Sequence, residues 1–257
     1  MDFQLTDEQQ EICKQVRALC SRFPDEYWRE RDESGEFPWD FYQAFADGGW
    51  LGITIPKEYG GAGLGITEAA LVMQTVAESG GGTQACSSIH LGIFGLEPLI
   101  KYGTQAAKDK YLAPILSGEI HVSFAVTEPD AGTNTTQIST FATKSGDGYI
   151  INGRKVFITK AQESKKMLLL TRTTPYDEVD KKTKGISLFF ADIDPKAVEV
   201  TELHKLGRKA VDTNMLFIDN LYVPKEDLIG EEGRGFYYLL DGINPERILI
   251  AAECVGM

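Results

Sequence analysis

The feature that most constrains the fold is an abrupt change in hydrophobic pattern near residue 120. Up to about Glu119, apolar residues recur at helical spacing, in runs separated by caps, glycines and prolines. From His121 to about Ile229, short runs rich in Val, Ile, Thr, Phe and Tyr are broken by turn residues, which is typical of an antiparallel barrel or sandwich. Strands and helices do not alternate there, which argues against a doubly wound nucleotide-binding fold. Helical character returns at Gly235.

Local signals predict where several elements begin and end. Residues 6–9, Thr-Asp-Glu-Gln, form a capping box that would open the first helix. Asn152-Gly153 lies between two apolar runs and predicts a two-residue hairpin turn. Asn244-Pro245 predicts a helix start, because asparagine is a favoured N-cap and proline suits the first turn. The final run ERILIAAECVGM has no C-cap or stop signal, so we expect its helix to be cut short.

Charge and composition exclude several classes of protein. Lys and Arg number 26 against 38 Asp and Glu, giving a net charge of −12, which argues against a general binder of nucleic acid or acidic membranes. No apolar run approaches the roughly 20 residues of a membrane span. The four cysteines form no CxxC pair and the three histidines show no metal-site spacing, so no metal is expected. The N-terminal MDFQLTDEQQ resembles neither a signal nor a transit peptide. We therefore expect a cytoplasmic protein, or a mitochondrial-matrix one if it is eukaryotic and processed.

Two glycine-containing segments have the look of phosphate loops but do not fit them. YGGAGLG at 59–65 lacks the final glycine of GxGxxG and does not follow a strand, so we interpret it as a turn between helices. GYIINGRK at 148–155 nearly matches GxxxxGK, but the predicted hairpin explains it. Neither segment predicts a nucleotide site.

The segment FAVTEPDAGT, at 124–133, is the most informative part of the sequence. A strand is expected to end near Thr127, and the turn that follows would expose backbone N–H groups and a hydroxyl, which suits a pyrophosphate. Val126 and Thr127 can offer an apolar contact and hydrogen bonds to a flat ring. From the residues alone, a plain strand-to-turn corner is an equally good interpretation.

Four motifs in order across the chain resemble those of the acyl-CoA dehydrogenase family. FAVTEPDAGTN at 124–134 resembles its flavin signature, in which TEP is followed by AGSD, and NGRKVFITK at 152–160 resembles its later tryptophan- or phenylalanine-containing hairpin motif. IPKEYGGAGLG at 55–65 and GEEGRGF at 230–236 are similar to its N-terminal helix connection and to its entry into the C-terminal helices. Thr133 replaces Ser but keeps the hydroxyl, whereas Asn134 and Lys160 replace Asp and Asn.

The resemblance implies an α+β fold with FAD held between its middle and C-terminal parts. The implied parts are an N-terminal all-helical domain at 1–119, a middle antiparallel β-barrel that binds the flavin at 120–230, and the start of a C-terminal helical bundle at 231–257. The cofactor-binding residues carried over by motif are Phe124, Val126, Thr127, Gly132, Thr133, Phe157, Ile158 and Thr159. Gly132 and Thr133 would meet the pyrophosphate, and Phe157 and Thr159 would cover the flavin near N5.

The chemistry of this family needs a carboxylate base. An α-proton leaves the acyl thioester while the β-hydride passes to flavin N5, and burial raises the basicity of the carboxylate that takes the proton. A subset that includes isovaleryl and long-chain enzymes places this Glu at the start of the first bundle helix, before an Arg. Glu246-Arg247 matches that place, which implies Glu246 as the base, Arg247 near CoA, and Asn244 and Thr133 beside the substrate. The alternative for Glu246 is a first-turn glutamate that favours the helix dipole.

Three functions are therefore open at this stage. The leading one is FAD-dependent α,β-dehydrogenation of an acyl-CoA, with electrons passed to an electron-transfer flavoprotein and a homo-oligomer in the complete protein. A flavin monooxygenase or oxidase on the same fold is the second, although a glutamate at 246 argues against it. The third is a truncated, non-catalytic subunit or fragment that would bind FAD weakly and self-associate. Lys181, Lys182 and Lys184 would either be solvated or meet CoA phosphates.

Overall fold

A computed structural model of the protein describes residues 4–257. The prediction that the N-terminus is not a targeting peptide used residues 1–10, and the first three of these lie outside the described residues. The α-helices of this part are α1 Asp7–Cys20, α2 Asp25–Ser34, α3 Trp39–Asp47, α4 Ile66–Ala77, α5 Gly82–Phe94, α6 Glu97–Tyr102, α7 Gln105–Leu116 and α8 Gly235–Gly256. Its strands are β1 Val122–Ala125, β2 Phe141–Ser145, β3 Gly148–Thr159, β4 Lys166–Arg172, β5 Ile186–Asp192, β6 Val198–Glu202, β7 Thr213–Pro224 and β8 Leu228–Ile229.

Helices α1 to α5 pack around a core that contains a group of aromatic side chains. The predicted capping box opens α1: the Thr6 hydroxyl accepts from the Gln9 N–H, and the Gln9 side chain accepts from the Thr6 N–H. Trp28 and Phe41 are buried edge to face, with ring centroids 4.8 Å apart. Such pairs add to the free energy of burying large rings, so they anchor α2 on α3. The structure thus confirms the prediction of an α+β protein with a helical N-terminal part.

The strands form one mixed sheet in the order β6-β7-β3-β2-β4-β5-β8, with β1 paired to β4. Most neighbours are antiparallel, but β1 runs parallel to β4, and β2 meets β4 in parallel at Phe141 and Arg172. The prediction of a purely antiparallel sheet is therefore wrong, and the closed barrel is not confirmed by these pairings. Parallel pairing needs a long connection between the two strands. Between β1 and β4 this connection contains the β2–β3 hairpin.

The hairpin predicted at Asn152-Gly153 lies elsewhere in the structure. The β2–β3 turn is at Gly146 and Asp147, and β3 continues through Asn152-Gly153 with a bulge against β7. A Cβ on Gly153 would lie 2.4 Å from the Thr140 hydroxyl oxygen, so glycine is required by a close backbone approach rather than by a turn.

Helix α8 also differs from its prediction, because it begins at Gly235 and passes through Pro245 without ending. Asn244 is therefore not an N-cap. An internal proline costs about 3 kcal/mol in an isolated helix. Packing compensates for this here, since Leu239 is buried in the core under the sheet and Leu249 in the core of the N-terminal helices. No helix within residues 4–257 has both the length and the apolar character needed to cross a bilayer.

Candidate functional site

A cavity of about 470 Å³ lies where α5 and α8 meet the ends of β1 and β3. Its walls are formed by Thr83, Ser87, His90, Leu91, Phe94, Phe124, Val126, Thr127, Thr135, Phe157, Thr159, Arg208, Ile243, Glu246, Ile250, Glu253, Cys254 and Met257. The volume is typical of a small-molecule site, and the lining combines aromatic and aliphatic side chains with a few charged ones.

Six of the residues predicted from the sequence line this cavity together: Phe124, Val126, Thr127, Phe157, Thr159 and Glu246. They come from three motifs that are far apart in the chain. Phe157 has a left-handed backbone with φ 61°, and the residue is 67% exposed. An exposed aromatic ring held by an unfavourable backbone is typical of a ligand contact rather than of a packing residue.

The other predicted residues lie near the cavity without lining it. Ile158 is buried in the core of the sheet, so its side chain faces away from the cavity wall formed by its neighbours. Gly132 and Thr133 are exposed in the turn after β1. Asn244 and Arg247 are exposed on α8, and the Arg247 Nη1 donates to the Asn244 Oδ1 at 3.0 Å.

The turn at 128–140 is fixed by a buried ion pair. The Lys155 Nζ donates to the Glu128 Oε1 at 2.9 Å and to the Val126 carbonyl at 3.0 Å, and the two side chains are 0% and 3% exposed. The Glu128 carboxylate also accepts from the Ser139 N–H and hydroxyl and from the Thr140 N–H. The pair therefore ties the end of β1 to β3 directly behind the cavity wall.

The ion pair also sets the charge states of its members. Burial lowers the pKa of Lys155 to about 8, although Glu128 favours the charged amine. Burial alone would raise the pKa of Glu128, but the Lys155 charge and the donated hydrogen bonds outweigh it and the pKa is lowered.

Lys160 replaces the family's asparagine and is held in the same region. Its backbone is left-handed, with φ 61°, and its Nζ donates to the Ser88 carbonyl at 3.3 Å. The ammonium lies 4.8 Å from the centre of the Tyr42 ring, within range of a cation–π contact. Burial lowers the pKa of Lys160 to about 8. This residue joins β3 to the helical part of the protein, beside the cavity.

Glu246 projects from the middle of α8 and is partly buried in the cavity wall. It lies eleven positions after the first residue of the helix, so the first-turn interpretation is wrong. On the same face, Ile250 and Glu253 follow at helical spacing, and the Glu253 Oε1 lies 2.5 Å from the His90 Nδ1. The cavity thus contains two carboxylates, of which only Glu253 has a side-chain hydrogen-bond partner within the described residues.

The lysines of the charged loop contact residues of the loop or of the start of α8. The Lys182 Nζ donates to the Tyr176 carbonyl at 2.8 Å, and Lys184 pairs with Asp180 at 2.8 Å. Lys181 lies 5.6 Å from the Tyr237 ring centre. None of the three is among the residues that line the cavity.

Two features of the cavity, Arg208 and the His90–Glu253 pair, were not predicted from the sequence. Glu253 could have been found, because it follows Glu246 by seven positions and therefore shares its helix face. No sequence signal places Arg208 in the cavity, since the loop after β6 brings it there through the pairing of β6 with β7.

Comparisons with known proteins agree with this geometry. The model of the acyl-CoA dehydrogenase N-terminal domain matches residues 6–119, and that of the middle domain matches residues 123–221. The short-chain acyl-CoA dehydrogenase of Clostridium acetobutylicum is 33% identical over 258 residues, covering 100% of this chain and 67% of the relative. Subunit CarC of the caffeyl-CoA reductase–Etf complex of Acetobacterium woodii is 33% identical over 250 residues, covering 95% and 65%.

Structural similarity extends over the whole chain. The structure of butyryl-CoA dehydrogenase from Megasphaera elsdenii matches with a TM-score of 0.91 and 27% identity, covering 100% of this chain and 67% of that one. The chain spans about two thirds of the length of the curated relatives it matches. Because the two domain models together match well over half of its residues, the chain belongs to the acyl-CoA dehydrogenase family, whose members are FAD-dependent flavin oxidoreductases.

Proposed function

We propose that the protein takes part in FAD-dependent α,β-dehydrogenation of an acyl-CoA thioester. The observation that carries the proposal is the convergence of Phe124, Phe157 and Glu246, from three separate motifs, on one cavity. A flat cofactor on one side of a bound substrate would require an aromatic face and threonine hydroxyls. Removal of the α-proton from the other side would require a carboxylate.

The donor set of the turn after β1 fits the phosphates of FAD. In the part of the chain that the structure describes, the backbone N–H groups of Gly132, Thr133 and Asn134 donate to no protein acceptor. A Cβ placed on Gly132 would meet nothing within 4 Å, so the backbone there is open to a ligand. Successive free N–H groups in a turn bind anionic oxygens. Gly132 and Thr133 would hold the pyrophosphate, as the family motif implies.

The remaining predicted residues would orient the ring and the substrate. Phe157 would cover one face of the flavin, and the Thr127 and Thr159 hydroxyls would hydrogen-bond its polar edge. When bound, FAD supplies the acceptor for the β-hydride. Glu246 would take the α-proton, and its partly buried position in an apolar wall reduces competition from water. Arg247, on the exposed side of α8, would contact the CoA part, and Asn244 and Thr133 would lie beside the substrate.

The relatives support a partner as well as a substrate. CarC is by name a subunit of an Etf complex, which supports an electron-transfer flavoprotein as the electron acceptor here. We further propose a homo-oligomer in a cytoplasmic setting, and a division of the chain into residues 1–119, 120–230 and 231–257.

The role of Glu246 can be tested against that of Glu253, the second carboxylate in the cavity. In FAD-loaded protein, Glu246→Gln should bind acyl-CoA with little change in Kd but lose roughly 10²–10⁴-fold in the rate of flavin bleaching, because a general base acts in the transition state. Titration calorimetry measures binding, and anaerobic stopped-flow absorbance measures bleaching. Loss of bleaching in Glu253→Gln, with bleaching retained in Glu246→Gln, would contradict the assignment. Recovery of FMN instead of FAD from the protein would contradict the cofactor.

A further inference from the structure

The cavity changes from apolar to polar along its length. Helices α5 and α8 run antiparallel across it: Phe94 and Pro245 share a small neighbouring cavity, whereas His90 contacts Glu253. From Glu246 to Glu253 the α8 face extends about 10 Å. A ligand that begins at Glu246 therefore passes the apolar side chains of Ile250 and Leu91 before it reaches this far end.

The far end of the cavity contains a cation without an anionic partner. The Arg208 Nη1 donates to the Ser87 hydroxyl at 2.8 Å, and no carboxylate oxygen lies within 4 Å of its guanidinium among residues 4–257. The Arg208 backbone is left-handed, with φ 57°, which is uncommon for a long side chain. Thr83 belongs to the first turn of α5, where the helix dipole favours a negative charge, and Ser87 lies one turn further along the same helix.

The neighbouring acidic residue does not neutralise this cation. The Glu253 carboxylate is 6% exposed and is engaged by His90 at 2.5 Å. The His90 Nε2 is buried and has no hydrogen-bond partner within the described residues, although buried polar atoms are normally paired. Two groups with unused hydrogen-bonding capacity, Arg208 and His90, therefore lie at the same end of the cavity.

An entirely aliphatic acyl tail would not suit this end, because it would desolvate a guanidinium and return no hydrogen bond. A carboxylate would match the planar fork of the arginine. We propose that the preferred acyl group carries a carboxylate at its distal end, bound by Arg208 with Ser87, beyond an apolar stretch beside Ile250 and Leu91. This inference rests on the proposed function, which places the thioester beside Glu246.

The same cation could instead bind a phosphate of CoA, so the test must separate the two anions. Matched unreactive thioethers provide this: S-alkyl-CoA and S-(ω-carboxyalkyl)-CoA of equal chain length, in a series of lengths, titrated calorimetrically into FAD-loaded protein. Both ligands carry the CoA phosphates, and only the second carries the terminal carboxylate.

We expect the carboxylate ligand to bind about 10- to 100-fold more tightly at the matching length, as is typical for a charged hydrogen bond. Arg208→Gln should remove this preference by weakening the carboxylate ligand, while the alkyl ligand binds as well as before or more tightly because no guanidinium is desolvated, and Arg208→Lys should restore part of the preference. Lys209→Gln is the matched control, because it removes an adjacent, exposed charge and should keep the preference. Circular dichroism checks that each variant is folded.

Two results would overturn the inference. One is equal or better binding of the alkyl ligand by the unaltered protein at every length, which decides the matter even if Arg208 variants fail to fold. The other is an equal loss for both ligands in Arg208→Gln, which would assign the residue to a CoA phosphate. Failure of the proposed function has a different signature, since neither ligand would then bind and no acyl-CoA would bleach the flavin.

Discussion

Removing either member of the Glu128–Lys155 pair should destabilise the protein severely. Lys155→Met keeps the length of the side chain but leaves a 3%-exposed carboxylate whose remaining hydrogen-bond donors are all neutral. Glu128→Gln leaves the buried ammonium with neutral acceptors only, the Val126 carbonyl and the new amide oxygen, and turns an amide NH2 toward the donors of Ser139 or Thr140. Stranding one charge of a buried pair costs about 3–5 kcal/mol. Because the free energy of unfolding of a protein is typically about 5–15 kcal/mol, each single change should remove a large share of it.

The double variant distinguishes this reasoning from simple loss of contacts. With both charges gone, no charge is stranded, so the double change should cost about 1–3 kcal/mol less than the sum of the two singles. Urea unfolding followed by tryptophan fluorescence gives the four free energies of unfolding. The control is Lys144→Met, which removes one member of the surface pair Lys144–Glu232, 3.0 Å apart with Lys144 72% exposed, and which should cost at most about 1 kcal/mol.

Two results would refute the argument about the buried pair. Single changes that cost no more than the exposed control would show that the site is hydrated or readily rearranged. Strict additivity in the double variant would show that the two charges do not interact. Either result would also remove the reason for regarding the pair as the support of the cavity wall.

Two further predictions concern other buried positions. Burial lowers the pKa of His121 from 6.5 to about 3, so between these values the unfolded chain binds more protons and stability falls as the pH falls, by up to about 1.4 kcal/mol per pH unit. Urea unfolding between pH 4 and about 6.5 should show a shallower slope in His121→Asn and an unchanged one in His204→Asn, whose side chain is exposed; equal slopes in all three proteins would contradict the assignment. Gly153→Ala should cost about 1–3 kcal/mol in the free energy of unfolding, because the new methyl would lie 2.4 Å from the Thr140 hydroxyl oxygen. Gly207→Ala, with open space around it, should cost less than about 0.5 kcal/mol in the same assay, and a similar loss in both variants would count against the close-approach argument.

The fold was predictable wherever the signal is local. The Thr6 capping box occurs as predicted, because a side-chain cap depends only on the next three residues, and Thr104 caps α7 by the same local rule. Asn152-Gly153 has the local signature of a turn, yet the register between β3 and β7 decides its structure, and the Asn152 side chain accepts from the Asn220 N–H. Pro245 likewise has a local preference that packing from two cores overrides.

In the candidate site, too, the residues that belong to local motifs were predictable and those brought together by distant contacts were not. Phe124, Phe157 and Glu246 could be named in advance because each belongs to a contiguous motif. The His90–Glu253 contact joins residues 163 positions apart, and Arg208 reaches the cavity from the loop after β6. Such groups are brought together by chain topology, so no window of sequence contains them.

The proline in α8 lies between two segments of the helix that pack into different cores. Pro245 has no N–H, so the Asp241 carbonyl loses its partner in the helix ladder at the point where α8 passes from one core to the other. Before it, Leu239 belongs to the core under the sheet; after it, Leu249 belongs to the core of the N-terminal helices. Bending is easiest at such a break. The segment that carries Glu246, Ile250 and Glu253 is therefore oriented by the core of the N-terminal helices, whereas the sheet orients Phe157, so the two walls of the cavity are positioned by different parts of the molecule.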